Sequence, residues 1–146
     1  MKHLEVVCAL IINSNNEIFI CQRGKGQLKY KWEFPGGKIE EGESREHAIV
    51  REIKEELSGT IEVVRYLGFA THEYKELEKP FSITMYAYLA KLVDGDLILS
   101  EHIDSKYVHI DELNTVDFAQ ADINLIENIK DELKEVLAWL VVLVKY

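Results

Sequence analysis

The nine residues Leu4–Ile12 carry one polar side chain, Glu5, and show no alternation of apolar and polar positions. A strand with one wet face alternates with period two, so an unbroken run rich in Val, Ile and Leu fits a strand covered on both faces. Asn13-Ser14-Asn15-Asn16 then supplies turn residues, and the apolar pattern resumes over Glu17–Cys21. Two such runs around a polar turn predict a hairpin at the centre of a buried sheet.

The remaining chain supplies elements to cover that sheet. Gly24-Lys25-Gly26-Gln27 is a flexible basic loop, and Trp32-Glu33-Phe34 reads as a short strand stopped by Pro35-Gly36-Gly37. Ser44 is a suitable N-cap for a helix running to Leu57, with Ala48, Ile49, Ile53 and Leu57 on one stripe and Ser58-Gly59 at its end. Thr60–Ala70, Phe81–Leu92 and Ser105–Ile110 read as strands. A second helix is expected from Asp122 onward, with Ile126, Ile129, Leu133, Leu137, Leu140 and Val144 on one face. Strands outnumber helices, one helix is inserted mid-chain and another comes last. The expected fold is α+β, an α/β/α sandwich with a mixed sheet flanked by helices. Its 146 residues suit a single domain, 1–146, without linker or repeat.

Charge narrows the partners. The formal net charge of −9 opposes a nucleic-acid duplex, whose backbone is gripped by clustered Lys and Arg. It leaves open a phosphorylated small molecule bridged through divalent cations held by carboxylates. Cys8 and Cys21 lie in apolar runs at no metal-ligand spacing, which suits small buried side chains in a reducing compartment. The N-terminus lacks a signal-peptide cleavage pattern, and the longest apolar run, Val136–Val144, is too short for a bilayer, so no membrane partner and a cytoplasmic location are expected.

The chemistry concentrates in one segment. From Gly37 the chain runs five residues to Glu43, then seven more to Arg51-Glu52-Ile53-Lys54-Glu55-Glu56. On a helix, Glu52, Glu55 and Glu56 are related by i, i+3 and i+4 and share a face, where like charges repel unless a cation sits among them. Hard carboxylate oxygens suit Mg²⁺ or Mn²⁺, and no imidazole or thiolate cluster suggests zinc. Three glutamates on a helix are more often a solvated face. The full spacing outweighs that reading, since chance gives it in fewer than roughly one chain in a thousand at average residue frequencies.

Gly37–Glu56 resembles the Nudix box, G-x5-E-x7-R-E-U-x-E-E-x-G-U with U aliphatic, at every position through Glu56. Ser58 stands where the box has glycine, with Gly59 one residue late, a shift expected to alter the helix end rather than a metal site. Ile18-Phe19-Ile20-x-x-Arg23 and Glu33-Phe34-Pro35-Gly36-Gly37-Lys38-Ile39-Glu40 are similar to the MutT branch, which acts on nucleoside triphosphates. The resemblance implies a Nudix fold and hydrolysis of a pyrophosphate linkage by water, releasing a monophosphate and pyrophosphate. It further implies Glu55 and Glu56 as principal metal ligands, aided by Glu52 and the Gly36 carbonyl, with Glu52 alternatively orienting or deprotonating the water. Arg51 and Glu43 would pair to hold the loop on the helix, and Arg23 would meet phosphate oxygens. Glu101 is the candidate for an acidic group outside the box, or else a solvated loop residue.

Phe118-Ala119-Gln120-Ala121-Asp122 occupies the place where the branch contacts the nucleobase. The Ala-Asp-Ile string is similar to members that act on CTP and on damaged or methylated nucleotides. An ionised Asp122 would accept from a base amino group, and a protonated one could meet an 8-oxo-purine; as a plain N-cap it would do neither. Phe34 and Phe118 would wall the base or belong to the core. His3, His47, His72, His102 and His109 form no cluster and read as ordinary strand or surface residues. Leu137–Val144 is apolar almost all round, so it lies deep in the core or forms a homodimer contact. Hydrolysis of another diphosphate derivative, and a non-catalytic nucleotide sensor, are the alternatives; the retained glutamates argue against the sensor.

Overall fold

A computed structural model describes the backbone of residues 1–145 and the side chains of 1–140. The strands are β1 Lys2–Ile12, β2 Ile18–Gln22, β3 Trp32–Glu33, β4 Gly36–Lys38, β5 Thr60–Tyr74, β6 Phe81–Asp94 and β7 Asp104–Val108. Their order in the sheet is β3-β2-β1-β6-β5, with β4 on β1 and β7 on β2. Helix α1 spans Arg45–Leu57 and helix α2 Gln120–Lys145, with a 3₁₀ segment at Ile110–Thr115 between β7 and α2.

The expectation for β1 holds, and its cause is visible. Parallel pairing with β6 runs from Lys2 opposite Phe81 to Ile12 opposite Lys91. Val6, Cys8, Leu10 and Ile12 point to the layer containing Leu125, Ile129 and Leu133 of α2. Val7, Ala9 and Ile11 point to Ala48, Ile49, Ile53 and Leu57 of α1. Alternate residues therefore enter two different cores, which is why neither set is polar.

The other edge of β1 is divided. β2 pairs with it at Ile12 opposite Ile18, whereas β4 pairs across Val6–Cys8, with Cys8 opposite Gly36. Phe34 and Pro35 carry the chain from β3 to β4, held where Ala9 N–H donates to the Pro35 carbonyl at 2.8 Å. Sequence patterning misses β4, because two of its three residues are glycines. Gly36 belongs there sterically: a Cβ would overlap the Val7 carbonyl and lie 2.7 Å from Cys8 Cα.

Helix α1 begins as expected, with Ser44 Oγ accepting from His47 N–H at 3.1 Å. It ends on Ser58, in the left-handed conformation at φ 66°, whose N–H donates to the Lys54 carbonyl. Helix α2 begins at Gln120, so Asp122 falls inside its first turn and is not the N-cap. Ile129, Leu133 and Leu137 are buried on the expected stripe, while Trp139 is 61% exposed. The side chains of Val141–Val144, including the stripe position Val144, lie outside the described residues. No helix among the described residues is long and apolar enough to cross a membrane.

Candidate active site

Arg51 organises the glutamates of α1. Its Nε donates to Glu43 Oε2 at 2.7 Å and one terminal nitrogen to Glu43 Oε1 at 2.8 Å, a bidentate pair with both side chains largely buried. That same terminal nitrogen donates to the Lys38 carbonyl, and the other reaches Glu52 Oε1 at 3.0 Å and Glu55 Oε2 at 3.1 Å. One guanidinium thus ties the Gly37–Glu43 loop to the helix and spaces two carboxylates. The Arg51 hydrogen bond pulls the Glu43 pKa down to about 2, helped by the Glu40 N–H and His47. Gly37 lies against Glu52 so closely that a Cβ would overlap its carboxylate.

Glu56 is the least satisfied member of the triad. Its Oε2 is buried and has no hydrogen-bond partner. Burial lifts its pKa to about 7, with Glu33, Glu52 and Glu101 adding to the rise and His102 opposing it. A buried carboxylate oxygen among other carboxylates, without a donor, is the arrangement a hard cation completes.

A second network borders it. Arg23 donates to Glu33 Oε1 at 2.9 Å, and His102 Nε2–H donates to Glu33 Oε2 at 2.9 Å. Burial disfavours the charged His102, but the Glu33 bond and charge outweigh it and raise its pKa. Cys21 Sγ, Glu33 and His102 gather within 4.8 Å of one another, with the Cys21 thiol turned to the Glu33 carbonyl. A cavity of about 260 Å³ opens beside Arg23 and Glu33 and is lined as well by Phe34, Glu56, Tyr74 and Asp122 among others. Asp122 is 3% exposed and accepts from the Phe34 N–H at 3.1 Å. Burial, reinforced by Glu33, raises its pKa well above the ordinary range, so its carboxyl is neutral beyond the usual titration point.

The model of the NUDIX domain matches residues 1–140. The chain belongs to the Nudix family. Two Escherichia coli relatives bracket its likeness. An 8-oxo-dGTP diphosphatase is 36% identical over 132 residues, covering 89% of this chain and 98% of that one. A CTP pyrophosphohydrolase is 35% identical over 128 residues, covering 87% and 91%. The MutT protein of Methanosarcina mazei Go1 superposes with a TM-score of 0.76 at 26% identity, covering 90% of this chain and 95% of that one.

Within this Nudix hydrolase the expected residues divide by place. Gly36, Gly37 and Glu56 line the cavity with Arg23, Phe34 and Asp122. Glu52 and Glu55 stand on the same helix face, one part-buried against Gly37 and the other 60% exposed. Glu101 borders a smaller cavity of about 120 Å³ shared with Glu56, Arg23 and His102, and its carboxylate is bound to Lys25 Nζ at 2.9 Å. Phe118 does not line the 260 Å³ cavity. It packs behind Phe34 with ring centroids 5.1 Å apart and faces a separate groove between the 3₁₀ segment and α2. Reading His102 as an ordinary surface histidine is corrected, since its side chain is 8% exposed and bonded into the site. Sequence reasoning also assigned no role to Glu33 or Tyr74. Glu33 sits in the run that matches the family, separated from Pro35-Gly36-Gly37 by Phe34 alone, whereas Tyr74 and His102 carry no local signal.

Proposed function

We propose that this protein hydrolyses a (deoxy)nucleoside triphosphate to the monophosphate and pyrophosphate, with a cytosine-like or oxidised base at the Asp122 end of the cavity. The observation that carries the reading is the continuity of one cavity from Glu56, Gly36 and Gly37 to Phe34, Tyr74 and Asp122. Phosphates at one end and a base at the other match its two chemistries. A neutral Asp122 offers both an O–H donor and a carbonyl acceptor, the complement of the cytosine N3/N4 edge and of the N7–H/O6 edge of an 8-oxo-guanine. The two Escherichia coli relatives, an 8-oxo-dGTP diphosphatase and a CTP pyrophosphohydrolase, cover both bases.

Mg²⁺, or Mn²⁺ in its place, belongs to this reading. Glu52, Glu55, Glu56 and the Gly36 carbonyl would hold it, and it would offset phosphoryl charge and acidify bound water. The protein's own groups do the rest. Arg23 binds phosphate oxygens, and Glu52 orients the attacking water or takes its proton as the new P–O bond forms and the bond to pyrophosphate breaks. Arg51 and Glu43 hold the loop that carries Gly36 and Gly37, and Glu101 is the outlying carboxylate. Pyrophosphate release should be measured over CTP, dCTP, the common purine triphosphates and 8-oxo-dGTP with Mg²⁺; no turnover with any of them would sink the reading. A homodimer through the C-terminal apolar segment is a separate part of the proposal, supported by the exposed Trp139. A monomeric mass by light scattering at working concentration would remove it.

A further inference from the structure

We infer that His102 is a positioning residue for phosphate binding: acting through Glu33, it sets where the Arg23 guanidinium stands. The inference rests on the proposed contact of Arg23 with phosphate. Arg23 follows directly on β2, and its backbone is tied across the following loop by its N–H to the Lys31 carbonyl and by the Tyr30 N–H to its own carbonyl, both at 2.9 Å, so the guanidinium is the part left to be placed. Among the described residues its guanidinium has one acceptor, Glu33 Oε1 at 2.9 Å, and its Nε is buried without a partner. Where Glu33 places its carboxylate therefore decides where Arg23 can point.

Glu33 is in turn held from the other side. It lies on β3 opposite Cys21 of β2, which fixes its backbone, and its second oxygen takes the His102 Nε2–H at 2.9 Å. His102 comes from the segment before β7, tied to the end of β2 where Ile103 N–H donates to the Gln22 carbonyl at 3.1 Å. The exposures of the three side chains fall from 35% for Arg23 to 19% for Glu33 and 8% for His102. The chain thus runs from a half-open cation inward to a buried imidazole, the direction expected of an outer hydrogen bond that orients a binding group. Without His102, Glu33 Oε2 would be a part-buried oxygen without its donor, in a small cavity shared with Glu56, and the carboxylate that holds Arg23 would be fixed from one side only.

The test compares His102→Ala, His102→Gln, Glu33→Gln and Arg23→Ala, each checked for a native circular dichroism spectrum. Binding of inorganic tripolyphosphate with Mg²⁺ by calorimetry reads the phosphate contact without base or turnover, and KM and kcat are measured alongside. His102→Ala is expected to weaken tripolyphosphate and raise KM about tenfold, the loss of one charge-assisted hydrogen bond, with kcat changed much less. His102→Gln, whose amide can donate to Glu33, should recover most of the loss. In an Arg23→Ala background, His102→Ala should add nothing. If His102→Ala does not fold, Glu33→Gln interrupts the same chain at its middle and should show the same KM effect. Normal binding in these variants while Arg23→Ala is impaired, or additive effects of the two alanines, overturns the inference and leaves the Arg23 contact standing. Unimpaired binding by Arg23→Ala overturns that contact, and the inference with it.

Discussion

The two ends of the cavity are built by opposite strategies. The glutamate end draws on one continuous stretch, Gly36 to Glu56, where a single guanidinium ties a loop to a helix through five hydrogen bonds to four residues. The Asp122 end draws on β1, β3, β5 and α2, and Asp122 and Phe34 meet across 88 positions of sequence. The first end is charged and polar; the second hides one carboxyl among Cys8, Phe34 and Tyr74. Chemistry that needs fixed spacing between carboxylates can be written locally on a helix. Recognition of a base needs a walled pocket, and walls come from different elements of the sheet.

The sharpest way to separate the ends is to remove function from one without touching the other. Glu52→Gln should lower kcat by about a thousandfold, the scale of a lost general base, with KM and base ranking little changed. Stopped or quenched assays of pyrophosphate release, with circular dichroism as the check on folding, measure it. A variant within tenfold of the parent would take Glu52 out of proton transfer. Arg51→Lys keeps the charge but loses the fork that holds Glu43, so activity should fall about 10- to 100-fold, as when a group orienting a ligand is lost. Unaltered activity across a Mg²⁺ titration would show that the loop needs no clamp.

What could be read from the sequence follows the same division. The unbroken run of β1, the α1 stripe ending at Leu57 and the spacing from Gly37 to Glu56 are local patterns, and each reappears as an element or a hydrogen-bonded unit. Strand β4 was invisible because Gly36 and Gly37 carry no side-chain pattern, and only pairing with Val7 and Cys8 makes them a strand. From sequence Asp122 reads as a base contact or as a helix cap, and its partner in the fold is the Phe34 N–H, not a helix N–H at the cap position. His102 was passed over because one histidine in a loop says nothing until folding brings it within 2.9 Å of Glu33.

Asp122→Asn tests the other end. It should reorder the nucleotide panel by about tenfold: the amide keeps one donor and one acceptor, but with its oxygen held by the Phe34 N–H it can neither exchange them by moving a proton nor ionise, as a carboxyl can. It should also alter the pH dependence of stability. The folded state holds the Asp122 proton more tightly than the unfolded chain does. That advantage is complete below the ordinary carboxylate pKa and is lost as pH rises toward the folded value. Thermal melts of the parent minus those of Asp122→Asn should therefore fall as pH rises above the ordinary carboxylate range of about 4, where only the parent titrates at this position. A flat difference would mean that Asp122 is ionised in the fold and accepts hydrogen bonds only.

The smallest effect belongs to the one departure from the family pattern. Ser58 adopts φ 66° where the box has glycine, and its exposed side chain makes no hydrogen bond among the described residues that would offset the strain. A left-handed residue with a Cβ costs about 1–2 kcal/mol, and glycine's greater freedom in the unfolded chain returns roughly half of that. Ser58→Gly should thus stabilise the protein by about 0.5–1 kcal/mol, raising Tm by about 2–3 °C in a domain of this size. Its kcat should not move, because the Ser58 N–H bond to the Lys54 carbonyl that closes α1 is a backbone bond and survives the change. A drop in kcat instead would show that the end of α1 reports to Glu55 and Glu56 one turn earlier, and that the displaced glycine is part of how this chain sets its carboxylates.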